Sequence, residues 1–252
     1  MNLPKMIIFD AGKTLIDYLQ KDNVRGRESL MSYLTTIDAT KLLMEHIVSN
    51  PHNYDVETIN RVTNEIFEKY DVCRKNLFEV HEQTILKTVY DLLDIRFSIS
   101  YDEIEHIIWN NSADIVEVEG AREVIDALNE MKIRMAVISN LDFSGCLLEE
   151  RLKEIYPKNR FEFVLASSDY GVRKPQPLLF EVGISKSGLQ PQEIWYVGDK
   201  VKVDVSGSQA VGMIPVLFKN KRNTYGDIPE NLMVLEEYGE LVKILQNLSD
   251  KL

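Results

Sequence analysis

Lys5-Met6-Ile7-Ile8-Phe9-Asp10-Ala11-Gly12-Lys13-Thr14-Leu15 carries an apolar run into a carboxylate and then breaks at glycine. The run is short and apolar at consecutive rather than alternate positions, which predicts a strand buried on both faces, as a central parallel strand must be. Asp10 would then stand at the carboxyl end of that strand, where open α/β sheets place their ligands. An Asp in this place can equally serve as an ordinary cap for the next turn, so the rest of the chain has to distinguish the two readings.

Four more apolar runs resemble the first: Ile133 to Ile138, Phe161 to Ala166, Ile194 to Val197 and Ile214 to Phe218. Stretches of helical periodicity separate them. Val124, Ile125, Leu128 and Met131 form one apolar face, Leu147, Leu148, Leu152 and Ile155 a second, and Leu178, Leu179 and Val182 a third. Strand alternating with helix implies parallel strands joined by right-handed crossovers, hence a doubly wound α/β sheet. Leu241, Ile244, Leu245 and Leu248 predict a closing helix that docks on it, after a polar, turn-rich stretch from Lys219 to Gly226.

From Asp17 to Ile115 the alternation stops. Val56, Ile59, Val62, Ile66 and Phe67 recur at helical spacing, as do Ile85, Val89, Leu92 and Leu93. Ser100-Tyr101-Asp102-Glu103 has the form of a capping box ahead of Ile104, Ile107 and Ile108. The expectation is an all-helical cap domain at 17–115, inserted into a core domain made of 1–16 and 116–252 and hanging over the carboxyl end of the first strand.

With 40 acidic residues against 29 basic ones in 252, and no run of Lys or Arg interleaved with aromatics, nucleic acid and anionic membrane are not expected partners. The sequence shows neither a secretory leader pattern nor an apolar stretch approaching a membrane span, so a cytoplasmic location is expected. Cys73 and Cys146 have no metal-type spacing and are expected to be free thiols. His46, His52, His81 and His106 all fall in the insert at no ligand-like spacing. Val205-Ser206-Gly207-Ser208 lacks the glycine pattern of a nucleophile elbow.

The later strands also end in residues with a plausible chemical task. The second ends at Ser139-Asn140, the third leads into Gly171-Val172-Arg173-Lys174-Pro175-Gln176-Pro177, and the fourth ends at Gly198-Asp199 with Asp204 following. A carboxylate, a hydroxyl, an ammonium and a carboxylate pair at one sheet edge suit a divalent cation and an anionic group.

Phe9-Asp10-x-x-x-Thr14-Leu15, Ile138-Ser139-Asn140, Lys174-Pro175-x-Pro177-x-x-Phe180 and Tyr196-Val197-Gly198-Asp199-x-x-x-x-Asp204, followed by Gly207-Ser208-Gln209-Ala210-Val211-Gly212-Met213, resemble the haloacid dehalogenase superfamily in order and spacing. The resemblance is to the branch of phosphohydrolases whose cap enters after the first strand. It implies that Asp10 is the nucleophile, forming an aspartyl-phosphate that water cleaves. It implies Mg²⁺ held by Asp10, Asp199 and the backbone carbonyl of Gly12, with Asp204 in support. Ser139, Asn140 and Lys174 would bind the phosphoryl oxygens of a small phosphorylated metabolite, and Thr14 would orient the nucleophile loop.

One position departs from most phosphatases of this family. Two residues after the nucleophile they carry a second Asp, which protonates the leaving group and later activates water, whereas here Gly12 is followed by Lys13. Acid–base assistance of that kind is worth ~10² to 10⁴ in rate. A good leaving group would need it little, and Lys13 or a cap residue could take part in proton handling. Two alternatives follow. The chain could be a non-catalytic or weakly active phosphate-ligand sensor, or a 2-haloacid dehalogenase; against the latter, dehalogenases lose the Gly-Asp pair retained here at Gly198-Asp199. Lys21, Arg25, Arg27, Tyr18 and Tyr33 could meet the substrate from the insert.

Overall fold

The computed structural model describes residues 2–19, 36–221 and 223–250. The chain runs β1 (Met6–Phe9), β2 (Ile16–Leu19), α1 (Ile37–Met44), β3 (Ile47–Ser49), α2 (Val56–Lys75), α3 (Glu82–Leu92), β4 (Arg96–Phe97), α4 (Tyr101–Ser112) and β5 (Asp114–Glu117). It continues through α5 (Ala121–Glu130), β6 (Arg134–Ser139), α6 (Gly145–Ile155), β7 (Phe161–Ala166), α7 (Ser167–Tyr170), α8 (Pro177–Ser187) and β8 (Ile194–Gly198). A π-helical turn (Val201–Val205), α9 (Ser206–Ala210), β9 (Ile214–Phe218), β10 (Met233–Leu235) and α10 (Tyr238–Ser249) complete it. Lys21, Arg25, Arg27 and Tyr33 lie outside the described residues.

Six parallel strands form one sheet in the order β10-β9-β8-β1-β6-β7. Every side chain of β1 is fully buried, and its alternation divides the hydrophobic interior. Met6 and Ile8 pack with Leu179, Phe180 and Met213 beneath α8, whereas Ile7 and Phe9 join Val124, Leu148 and Leu241 on the other face. That second cluster continues into Ile59, Ile85, Ile108 and Trp109, so the insert shares one apolar interior with the sheet. From β1 the chain adds β6 and β7 on one side and then β8, β9 and β10 on the other. The reversal lies between β1 and β8, the crevice where doubly wound sheets bind ligands.

The expected strands are present, and the sheet gains β10, whose three residues Met233–Leu235 are too few to register as a periodic run. The insert is helical in its mass but not throughout. β2 pairs antiparallel with β5, and β3 with β4, so two short ribbons replace the all-helical expectation. The first ribbon holds together the two chain crossings between sheet and insert. Leu178 and Leu92 are the other departures: they are 49% and 63% exposed, because Phe180 and Gly183 complete the inner face of α8 and Val89 and Tyr90 that of α3. Ser100 does cap α4, with reciprocal bonds to Glu103. Among the described residues no helix is long and apolar enough to cross a membrane.

α9 approaches so closely that a Cβ on Gly207 would meet the Phe180 ring and lie 3.1 Å from Pro175 Cα. Phe180 is fully buried and cannot swing away, so Gly207→Ala overpacks the α8–α9 contact. Urea denaturation should show a loss of about 1–3 kcal/mol, the usual range for an added methyl in a packed core.

Candidate active site

At the crevice, three carboxylates and one ammonium share a buried space. Lys174 Nζ lies 2.7 Å from Asp10 Oδ1 and 2.7 Å from Asp204 Oδ1, with its side chain 1% exposed. It also donates to Tyr196 Oη at 2.8 Å, and Ile138 O stands at 3.1 Å. An ammonium has three protons, so Asp10, Asp204 and Tyr196 account for them, and Tyr196 passes its own proton to Ile138 O at 2.9 Å. Burial alone would discharge the lysine. The Asp10 and Asp204 carboxylates outweigh it and hold the ammonium well above its ordinary pKa.

Local sequence explains why these atoms meet. Asp10 follows β1, its N–H donating to Val197 O on the neighbouring strand at 2.8 Å. The turn beyond it is tied at Ala11 O, which accepts from the N–H groups of Thr14, Leu15 and Ile16. Tyr238 donates to Thr14 O at 2.6 Å and Tyr156 to Leu15 O, so α10 and the end of α6 hold the loop from outside. Asp204 can fold back under β8 because Gly198 has no side chain: a Cβ there would fall 2.5 Å from Asp204 Cβ and Cγ. Asp204 Oδ2 accepts from Lys200 N at 3.0 Å, and Asp204 N donates to Lys200 O at 2.8 Å across the π-helical turn.

Asp199 differs from its neighbours. Oδ2 accepts from Asn223 Nδ2, but Oδ1 is buried without a hydrogen-bond partner. Burial first, and then the Asp10 carboxylate, push its pKa up to about 7. Burial likewise raises Asp204, against the pull of Lys174. Ligand oxygens of Asp10, Asp199 and Asp204 lie within 4.8 Å of one another. Three carboxylates face the Lys174 ammonium, Lys200 Nζ stands a further 4.0 Å from Asp199 Oδ1, and that oxygen accepts no hydrogen bond. This donor set fits a divalent cation of the hard, oxygen-seeking kind. Both oxygens of Asp204 are occupied by protein donors, which leaves Asp10 and Asp199 as the carboxylates able to reach an ion.

The other residues singled out in the sequence fall around this centre. Ser139 is buried at the end of β6. Asn140 is adjacent, but its amide is occupied at both ends by the Lys174 main chain: Nδ2 donates to Lys174 O at 3.0 Å and Oδ1 accepts from Lys174 N at 2.7 Å. Its side chain therefore positions the lysine. Thr14 is buried with Oγ1 unpaired. Gly12 faces Tyr18, whose ring carbon Cε2 would lie 3.4 Å from a Cβ at residue 12. Lys13 Nζ turns away to Asn223 Oδ1 at 2.8 Å.

A buried polar cluster that the sequence reading missed joins the insert to the loops flanking Lys174. Glu79 accepts from Ser167 Oγ at 2.6 Å and from Arg173, while Arg74 pairs with Asp142 at 2.5 Å. The backbone of 77–79 pairs with 171–173, through Glu79 N to Gly171 O at 3.1 Å and Arg173 N to Leu77 O at 3.0 Å. Glu105 of α4 accepts from both Ser144 N and Ser144 Oγ, capping the core helix α6 from the insert. Arg173 beside Lys174 was the one sequence signal, and its partners stand 94 residues away at Glu79 and beyond.

Comparison with known proteins agrees with this geometry. A profile described as haloacid dehalogenase-like hydrolase matches residues 36–217. The chain is 25% identical over 248 residues to the glyceraldehyde 3-phosphate phosphatase of Pyrococcus abyssi, covering 96% of this chain and 94% of that one. It is 33% identical over 135 residues to haloacid dehalogenase-like hydrolase domain-containing protein 3 of Xenopus laevis, covering 52% of this chain and 54% of that one. Among solved structures, a 2-haloacid dehalogenase from Pseudomonas syringae pv. Tomato DC3000 has the same fold, with a TM-score of 0.62 at 16% identity over 97% of this chain and 99% of that one.

Asp142 offers a pH test of the junction. Burial is the largest influence on it and pushes its pKa up to about 6 despite Arg74, from an ordinary 3.8. A carboxyl raised on folding is bound to its proton more tightly in the native state, so it withdraws stability as pH rises from 4 through 6. Asp142→Asn removes that loss. Its stability relative to the unaltered protein should therefore climb between pH 4 and pH 7 in paired denaturant titrations. A relative stability that falls instead would mean that pairing with Arg74 outweighs burial.

Proposed function

The chain belongs to the haloacid dehalogenase-like hydrolases, and from that premise we propose that it is a Mg²⁺-dependent phosphohydrolase cleaving a small phosphorylated metabolite through an aspartyl-phosphate on Asp10. The observation that carries this reading is the Lys174 ammonium shared at 2.7 Å between Asp10 and Asp204, beside an Asp199 oxygen with no donor. Residues 1–16 and 116–252 supply this machinery, and the insert 17–115 serves as the cap that closes over it.

Asp10 Oδ2, the oxygen not bonded to Lys174, attacks phosphorus in line; the new O–P bond forms as the ester oxygen leaves with its electron pair. Water then attacks the same phosphorus, releasing phosphate and restoring the carboxylate. Lys174 and Ser139 stabilise the phosphoryl oxygens as charge builds on them, and Asn140 keeps Lys174 in place. Asp10, Asp199 and the Gly12 carbonyl would hold the cation, with Asp204 supporting. When bound, it supplies charge neutralisation at the phosphoryl group. Gly12 contributes no proton to the leaving oxygen, and the Tyr18 ring flanks the side-chain space beside it, Cε2 standing 3.4 Å from where a Cβ would lie. Acyl phosphates and sugar 1-phosphates, whose leaving groups need little protonation on departure, are the favoured substrates. The related phosphatases make a triose phosphate the first ester to try. Asp199 and Asp204 both speak against carbon–halogen cleavage, which requires no cation.

The same vacancy of acid–base function at Gly12 favours a second reading, a protein that holds phosphate or an aspartyl-phosphate and signals through its cap. Phosphate release from acyl phosphates, sugar 1-phosphates, glyceraldehyde 3-phosphate and an aryl phosphate, with and without Mg²⁺, separates the two. Turnover should require Mg²⁺, vanish in Asp10→Asn and fall about 10²- to 10³-fold in Lys174→Met. A burst of one phosphate per chain with slow decay would favour the holding role.

Gly12→Asp tests the missing proton donor directly. It should raise kcat on alkyl phosphates by about 10- to 10²-fold while leaving acyl phosphates little changed, a fraction of the usual acid–base contribution because Tyr18 crowds the new side chain. Equal effects on both leaving-group classes would rule out protonation as the limiting step.

A further inference from the structure

Lys13 occupies a backbone position that favours glycine. Its φ is +60°, in the left-handed region that side chains disfavour, and such strain persists where the surrounding structure requires it. The loop after β9 supplies the requirement. Asn220 Nδ2 donates to Lys13 O at 2.9 Å, and Lys13 N donates to Ile16 O at 2.7 Å, which holds the main chain. The side chain then reaches across the sheet edge to Asn223 Oδ1 at 2.8 Å. Asn223 in turn donates its Nδ2 to Asp199 Oδ2, with Asp199 O at 3.4 Å from the same nitrogen. Asn223 N donates to Asn220 O at 3.0 Å, and Asn220 N to Tyr225 Oη at 2.7 Å, so the loop is internally tied.

The chemistry of the chain Lys13–Asn223–Asp199 is directional. An ammonium only donates and a carboxylate only accepts, so the amide between them has a single satisfactory orientation. Turned over, it would set oxygen against carboxylate oxygen and NH₂ against ammonium. One carboxylate oxygen of Asp199 is thereby pinned, and the buried Oδ1, which accepts no hydrogen bond and has Lys200 Nζ at 4.0 Å, is the atom left to project. The neutral amide also keeps the Lys13 charge one residue away from Asp199. A direct ion pair would spend that carboxylate on the lysine and compete with a dication.

We propose that Lys13 and Asn223 are positioning residues for a divalent-cation site, Asn223 orienting Asp199 and Lys13 orienting Asn223. The proposal rests on the metal-dependent reading above and extends it to a loop beyond the strand ends that carry Asp10 and Asp199. Lys13 is accordingly a metal-site residue rather than a proton donor.

Binding of Mn²⁺ to the whole chain, followed by the loss of its free-ion paramagnetic resonance signal, and of Mg²⁺ by calorimetry, tests this without any substrate. Lys13→Met and Asn223→Ala should each weaken Mn²⁺ and Mg²⁺ about 10-fold, the lower end of what outer-shell partners of metal ligands contribute. The double variant should lose no more than about the same 10-fold, because the two act in series. Lys13→Arg, which keeps a cationic donor, should recover most of the affinity. Thermal midpoints measured without cation should not follow this pattern, whereas a merely structural role would move them in parallel. Asn223→Gln serves as a second variant should Asn223→Ala unfold, and is expected to bind more weakly than the unaltered chain. Variants that bind Mn²⁺ as the unaltered chain does, or losses that multiply in the double variant, would overturn the proposal and leave the phosphatase reading standing. No Mn²⁺ or Mg²⁺ binding by the unaltered chain would overturn both.

Discussion

The structure depends on a buried ammonium. Lys174 carries its charge to a place 1% exposed, where an unpaired ion would discharge or unfold the site. It persists because Asp10 and Asp204 meet it from two directions and Tyr196 takes its third proton. Each partner has its own support. Asp10 rides on the central strand, Asp204 lies against Gly198 and the Lys200 amide, and Asn140 clips the lysine main chain at both its N–H and its C=O. Removing one member strands the charge of the others, so the four strand ends are held to one geometry. The same arrangement leaves Asp199 short of a donor, and the site's appetite for a cation follows from that deficit.

The insert is bound to this centre rather than simply suspended above it. Its apolar interior runs on from the β1 face that carries Ile7 and Phe9. Arg74 and Glu79 reach Asp142 and Arg173, on the two loops that carry Asn140 and Lys174, and Ser167 at the start of α7. Any displacement of the insert must therefore break or carry along charged groups that are buried beside the segments leading to Asn140 and Lys174. The cost of exposing or separating such pairs favours one seated arrangement. The β2–β5 ribbon, by contrast, holds the two crossings by backbone bonds and places Tyr18 over Gly12.

Gly12 and Lys13 together set the turn after Asp10. Without a carboxyl at residue 12, the neighbour of that space is the Tyr18 ring, whose phenol is held above its ordinary pKa by burial and by Asp10 and which stays neutral. The cationic side chain that follows is engaged by Asn223, which in turn bonds Asp199. The turn thus sends its charge toward Asp199 and keeps a neutral ring beside residue 12.

Local pattern alone determined a good deal. Consecutive apolar residues ending in Asp10 can be satisfied only by a strand buried on both faces, and the alternation of such runs with helical faces requires a parallel sheet. Because strands of a parallel sheet all end on one side, Asp10, Ser139 and Asp199 were legible as neighbours before any coordinates. The box at Ser100 was legible too, since its bonds span three residues. Tertiary structure decided whatever depends on atoms distant in sequence. The Asn140 side chain clips the main chain of Lys174, 34 residues away. Asn223 meets Lys13 across 210 residues, and Glu79 meets Arg173 across 94. β10 and the two ribbons are each so short that their pairing partners, not their own residues, make them strands. Periodicity reports the face a residue presents, whereas a hydrogen bond in a buried site depends on which donor arrives opposite it, and only the packed chain settles that.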